Sequence, residues 1–173
     1  KNFSILVLGG SQGAQVFGTI IPEVIKKLKN EGHVIEINQQ CIREQKNQII
    51  DFYEKNKIKN RVFEFDKNII KLIPSTSLAI TRCGASTTAE LAHTLTPFIA
   101  VPLPNSIDDH QYLNAKYYEN KDCCWLLEQN NFNTENLINL IIEIVKNKNK
   151  LEIIRNNMKK NISRNVYNNI ENE

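Results

Sequence analysis

Short apolar runs alternate with longer segments in which apolar residues recur at helical spacing. The runs at 3–8, 33–37, 61–65, 78–81, 98–101 and 123–127 read as strands. Those at 3–8, 78–81 and 98–101 are almost unbroken, as expected for parallel strands buried on both faces. Helical periodicity covers 14–30, 43–57, 68–73, 86–95 and 108–120, then 134–147 and 150–166. Strict strand–helix alternation predicts an α/β fold, a Rossmann-like parallel sheet with helices on both faces.

Punctuation supports these boundaries. Gly9 and Gly10 end the first strand, and Gly32 stands at a helix C-cap position. Pro74 is expected to stop a short helix, Pro97 precedes a strand, and Pro102 and Pro104 end it. After Asn161 polarity rises, so the expected organisation is one domain over 1–165 and a polar tail over 166–173.

Composition narrows the classes. The chain has 173 residues, 41% of them hydrophobic, enough for one sizeable core. No apolar run approaches the length of a membrane span, and no signal-peptide pattern is seen. A net charge of only +3, with lysines scattered among Asn and Ile, argues against a dedicated nucleic-acid role. Cys41, Cys83, Cys123 and Cys124 form no C-x-x-C pair and read as reduced thiols in or near the core.

Three strand-to-helix corners carry the chemistry. The first, Gly9-Gly10-Ser11-Gln12-Gly13-Ala14, allows a ligand close to backbone N–H groups at a helix N-terminus. It matches neither G-x-G-x-x-G nor the P-loop, and a purely structural tight turn accounts for it as well. In the second, Arg82-Cys83-Gly84-Ala85-Ser86-Thr87-Thr88-Ala89-Glu90, a helix starting near Ala85 would aim the amides of 85–87 into a crevice. Those amides suit a diphosphate, Arg82 a phosphate, and Glu90, on the helix face of Ser86 and Thr87, the two hydroxyls of a ribose. Thr87-Thr88-Ala89-Glu90 equally fits a capping box, which needs no ligand. In the third, Pro102 to Gln111, Asp108 or Asp109 is expected to cap a helix and to place His110 and Gln111 at the crevice mouth, where they suit sugar hydroxyls. An Asp108-Asp109-His110 metal site is disfavoured because three consecutive residues rarely converge on one ion. His33 and His93 read as structural. There is no nucleophile elbow, no defensible Cys–His pair and no pair of carboxylates flanking a cleft, so ligand holding is expected rather than bond breaking.

With these pieces in this order and spacing, together with Asn114-Ala115, residues 5–128 resemble the C-terminal domain of the MurG family. These are UDP-N-acetylglucosamine transferases that convert lipid I to lipid II in peptidoglycan synthesis. The resemblance implies the C-terminal half of a two-domain GT-B glycosyltransferase that inverts the anomeric centre and uses no metal or cofactor in the donor site. It implies that Ser11, Arg82 and the segment Gly84, Ala85, Ser86, Thr87, Thr88, Ala89 and Glu90 serve the diphosphate and ribose. Asp66, through its backbone, and Ile69 would border the uracil, and His110 and Gln111 the N-acetylglucosamine. Cys83 stands where the family commonly has Ser, Ser86 where it has a Leu-like residue, and Asp66 where it has an apolar one.

The family's acceptor-binding loop, its proposed base and its membrane-contacting patch belong to an N-terminal domain without a counterpart in these residues. The expectation is therefore a chain that binds UDP-N-acetylglucosamine, has no catalytic residue of its own and does not transfer the sugar unaided. Lipid I and the inner face of the bacterial membrane would be met only by the full-length enzyme. The rival readings are a separate UDP-sugar-binding subunit or regulatory module working with an acceptor-domain chain, a UDP-N-acetylglucosamine epimerase, and a nicotinamide-dependent oxidoreductase. The last is disfavoured by the missing dinucleotide fingerprint.

Overall fold

The structure is a computed structural model. It describes the backbone of residues 3–10 and 14–170, and side chains through Ile162 except that of Lys148. Six strands, β1 (Phe3–Leu8), β2 (Ile35–Gln40), β3 (Lys59–Phe63), β4 (Leu78–Thr81), β5 (Phe98–Ala100) and β6 (Trp125–Leu126), form one parallel sheet. The order is β3-β2-β1-β4-β5-β6, the doubly wound arrangement. Among the described residues seven α-helices accompany it: α1 (Gln15–Asn30), α2 (Lys46–Lys55), α3 (Ile69–Leu72), α4 (Ala85–His93), α5 (His110–Glu119), α6 (Thr134–Lys146) and α7 (Lys148–Ile170).

The nearly unbroken apolar strands have a two-sided explanation. Ile5 and Val7 join one core with Leu78, Ile80 and Ile99, while Leu6 and Leu8 join another with Ala79, Phe98 and Ala100. Successive side chains of a strand point to opposite faces, so both faces must be apolar where both are covered. Phe17 and Ile21 of α1, Tyr53 of α2 and Ile141 of α6 cover the first face; Leu91 of α4 and Ala115 of α5 cover the second. Helix α7 passes from one to the other, with Leu151 in the first core and Ile154 and Met158 in the second.

Every expected element is present, with shifted boundaries. β2 lies at 35–40 rather than 33–37 because Asn38 and Gln39 are buried strand residues despite their polarity. Gln39 is fully buried and satisfied: its Oε1 accepts the Tyr53 hydroxyl at 2.5 Å and its Nε2 donates to Phe17 O at 3.4 Å. β3 starts at Lys59 rather than Arg61; it is an edge strand carrying exposed Lys59 and Arg61, which a hydrophobic pattern misses. The short helix α3 ends at Leu72, so Pro74 does not stop it but sits in the 3-10 turn that follows. α7 runs beyond the expected 166 to Ile170. All four cysteines are buried and unpaired, as expected.

The strand order reverses between β1 and β4. Their C-terminal ends lie side by side, with the Arg82 N–H donating to Leu8 O at 3.0 Å. Gly10, at φ +78, turns the chain away from β1 directly beside Arg82, in a backbone conformation that an L side chain rarely adopts.

Candidate functional site

Open α/β sheets place ligands at such a reversal, outside the strand C-termini. Here it opens into a cavity of about 700 Å³ lined by Gly9, Gly10, Gln15, Arg82, Gly84, Ala85, Ser86, Thr87, Leu103, Gln111 and Gln129, together with Ala14 and Val16. The ends of β1, β4 and β5 and the turn after β6 thus contribute to a single space.

Helix α4 enters it by its N-terminus. Gly84 is the N-cap, with extended backbone and no side-chain cap bond. The first helical bond is Thr88 N–H to Gly84 O at 3.0 Å, so the amides of Ala85, Ser86 and Thr87 have no acceptor within the helix. This overturns the capping-box alternative: Thr87 lies inside the first turn, not at the cap. The Thr88 hydroxyl is turned back onto Gly84 O and Ala85 O at 3.1 and 3.2 Å.

Arg82 stands beneath this helix end with only 7% of its surface exposed. Its Nη1 donates to Val101 O and Pro102 O, each at 3.1 Å, and its Nη2 to Gln129 Oε1 at 2.5 Å. The guanidinium lies over the Phe17 ring at 4.9 Å. Among the described residues no carboxylate pairs with it, and burial lowers its pKa from the usual arginine range. A buried cation held only by neutral acceptors beside three unfilled amides makes a socket for an anion.

Two side chains of α5 hold the second corner in place. Gln111 Oε1 accepts the Cys83 N–H at 3.1 Å and the Leu103 N–H at 3.0 Å, and Asn114 Nδ2 donates to Cys83 O at 3.0 Å. Asp109 occupies the N-cap position of α5 but makes no cap bond. Asp108 and Asp109 both have left-handed backbone (φ 50 and 53), unlike the extended backbone an N-cap side chain requires, and Ser106 Oγ accepts the Gln111 N–H at 3.3 Å instead. The Cys83 thiol, fully buried, is pushed up to about 12 by desolvation, which leaves it protonated and inert as a nucleophile at neutral pH.

The remaining expected residues are placed as follows. Ser11 lies outside the described residues. Glu90 and Ala89 border a smaller depression of about 390 Å³, shared with Ser86, His93, Tyr117 and Asn161. The His110 side chain is exposed, its Nε2 3.8 Å from Asp108 Oδ2, and does not line the main cavity. Asp66 organises the turn after β3: its carboxylate accepts from Arg61 Nη2 at 2.7 Å and from the Asn68 N–H at 2.8 Å, and its carbonyl accepts the Ile69 N–H at 3.3 Å. Ile69 packs against the second core, and Phe65 is exposed beside this turn. Gln129 escaped the sequence reading, since no local motif marks it; only the pairing of β6 with β5 brings it to Arg82.

The six-stranded sheet is doubly wound, an α/β class that binds ligands at its switch point, where the Arg82 corner lies. Residues 4–172 match the model of the glycosyltransferase family 28 C-terminal domain, and the chain belongs to that family. A relative from Pelagibacter ubique (strain HTCC1062), named UDP-N-acetylglucosamine--N-acetylmuramyl-(pentapeptide) pyrophosphoryl-undecaprenol N-acetylglucosamine transferase, is 36% identical over 96% of this chain and 47% of its own length. One of the same name from Rickettsia prowazekii (strain Madrid E) is 39% identical over 90% of this chain and 41% of its own. The crystal structure of Acinetobacter baumannii MurG superposes with a TM-score of 0.81 at 26% identity, covering all of this chain and 50% of that one. The chain thus spans less than half the length of these two curated relatives. No helix among the described residues is long and apolar enough to cross a membrane.

Proposed function

We propose that the chain is the donor-binding half of an N-acetylglucosaminyltransferase and holds UDP-N-acetylglucosamine across the β1–β4 switch point. The observation that carries this is Arg82, a buried guanidinium without a carboxylate partner, set beside the open N-terminus of α4. A diphosphate supplies the missing negative charge and fills the amides of Ala85, Ser86 and Thr87. Glu90, one turn further along α4, accepts from the ribose hydroxyls. The turn at Asp66 and Ile69 borders the uracil, and Ser11 joins the diphosphate from the first corner. Gln111, whose Oε1 is committed to Cys83 and Leu103, offers its Nε2 donors to the sugar, with His110 at the rim.

In the whole enzyme, the donor held here is attacked by the hydroxyl of a lipid-linked acceptor bound by the other half. The names of the relatives support reading that acceptor as an undecaprenyl pyrophosphoryl muramyl-pentapeptide, a lipid-linked substrate that the whole enzyme would meet at the cytoplasmic face of the membrane. This half binds and orients; it contributes charge complementarity at the leaving diphosphate rather than a base. Isothermal titration tests the reading. One-site binding of UDP-N-acetylglucosamine and of UDP is expected, and absence of heat with folded protein would sink it. Turnover of a lipid I analogue by these residues alone would overturn the assignment of the acceptor site to the other half.

A further inference from the structure

We propose that Gln129 is a specificity-determining positioning residue: its neutral amide aims the Arg82 guanidinium into the cavity without neutralising it, so that the charge is left for a diphosphate. The proposal rests on the donor-binding reading above and adds to it a residue on a different element. Gln129 opens the 3-10 turn Gln129–Asn131 after β6 and lines the cavity together with Arg82.

The donor arithmetic supports this. A guanidinium has five N–H groups in a fixed plane. Two go to the carbonyls of Val101 and Pro102 and one to Gln129 Oε1, which fixes the plane and leaves two donors. The Phe17 ring under the guanidinium blocks tilting toward α1. All three acceptors are neutral. A glutamate would fit the same space and reach the same Nη2, but it would cancel the charge and turn the socket into a closed ion pair. Gln in place of Glu is therefore the feature that keeps the site selective for an anion, while the hydrogen bond keeps the cation from swinging out to solvent.

The test compares UDP with uridine, which shares the base and ribose but carries no phosphate. Affinities are measured by titration for the wild-type chain, Q129E and Q129A, with thermal unfolding as a check on folding. In Q129E the UDP affinity falls about 30-fold, the range for closing off a buried charge, while uridine binding stays within about twofold and the melting temperature does not fall. In Q129A, which removes the clamp without adding charge, UDP affinity falls about fivefold, because the guanidinium keeps its charge and loses only its aim, and uridine is again unaffected. UDP binding by Q129E within about threefold of wild type overturns the proposal and leaves the donor-binding reading intact. Equal losses for UDP in Q129E and Q129A, or parallel losses for uridine, overturn it by showing a structural role. Failure of folded wild-type protein to bind UDP defeats this proposal and the reading beneath it together.

Discussion

Gln111 Oε1 accepts the backbone N–H of Cys83 at 3.1 Å, joining the first turn of α5 to the corner that launches α4. The same oxygen takes the Leu103 N–H, so one side chain fixes two walls of the cavity. Replacing it with alanine strands both N–H groups. Q111A is expected to lose about 1–3 kcal/mol of stability, the cost of unsatisfied backbone donors, together with UDP affinity. Urea unfolding and titration of the same sample check this. Lost affinity at unchanged stability would show that Gln111 acts on the ligand alone.

The open end of α4 allows a cleaner separation of binding from folding. Ala85 is the first helical residue, where proline is well tolerated, and Gly84 before it has φ −63 and ψ 141, the extended backbone a following proline favours. A85P removes one free amide and little else. Stability should stay within about 0.5 kcal/mol, while UDP affinity falls about tenfold, the value of one charge-assisted bond. Undiminished UDP binding would mean that the diphosphate does not use this helix end.

How much of this was legible in the sequence depends on how local each signal is. β1, β4 and β5 are apolar at all but Ser4 and Thr81 because both faces are covered, and their ends lead directly into the corners. The polar end of β2 was not legible, because Gln39 is paid for by Tyr53 fourteen residues on. The capping-box pattern at Thr87 to Glu90 is genuine as a string, but the helix begins earlier, where Gln111 and Asn114 grip both backbone groups of Cys83. Arg82 was visible as a charge at a strand end. Its burial and its bond to Gln129 depend on which strand lies beside β5, and a one-dimensional pattern does not carry that.

Glu90 distinguishes a ribose contact from a surface carboxylate. It stands one turn along α4 from Ser86, the residue common to the main cavity and the smaller depression. If it accepts from the ribose 2′- and 3′-hydroxyls, E90A lowers UDP affinity about tenfold or more but lowers affinity for 2′-deoxy-UDP less, because one of its bonds is already missing there. Competition titrations with the two nucleotides measure the difference. Equal losses, or none, would move the ribose away from this side of α4.

The buried acids of the core set the alkaline limit of the fold. Desolvation raises Cys83 from an ordinary 9.0 to about 12, and it also raises Cys124 and, well above its ordinary 10.0, Tyr53. Each is neutral when protonated, so the folded chain keeps its protons where the unfolded chain has released them. Stability from Cys83 is complete below pH 9 and falls between there and about pH 12, because over that window the unfolded state binds fewer protons. Each such group contributes a slope of at most about 1.4 kcal/mol per pH unit. Urea midpoints under reducing conditions should therefore be flat near pH 8 and decline above 9, as the Cys83 and Cys124 thiols ionise in the unfolded chain. C83S removes one titrating thiol beside Arg82 and should make that decline shallower by about one group's slope, whatever its effect at neutral pH. An unchanged slope in C83S would mean that the Cys83 thiol reaches water in the folded protein, which is incompatible with a sealed corner between α4 and α5.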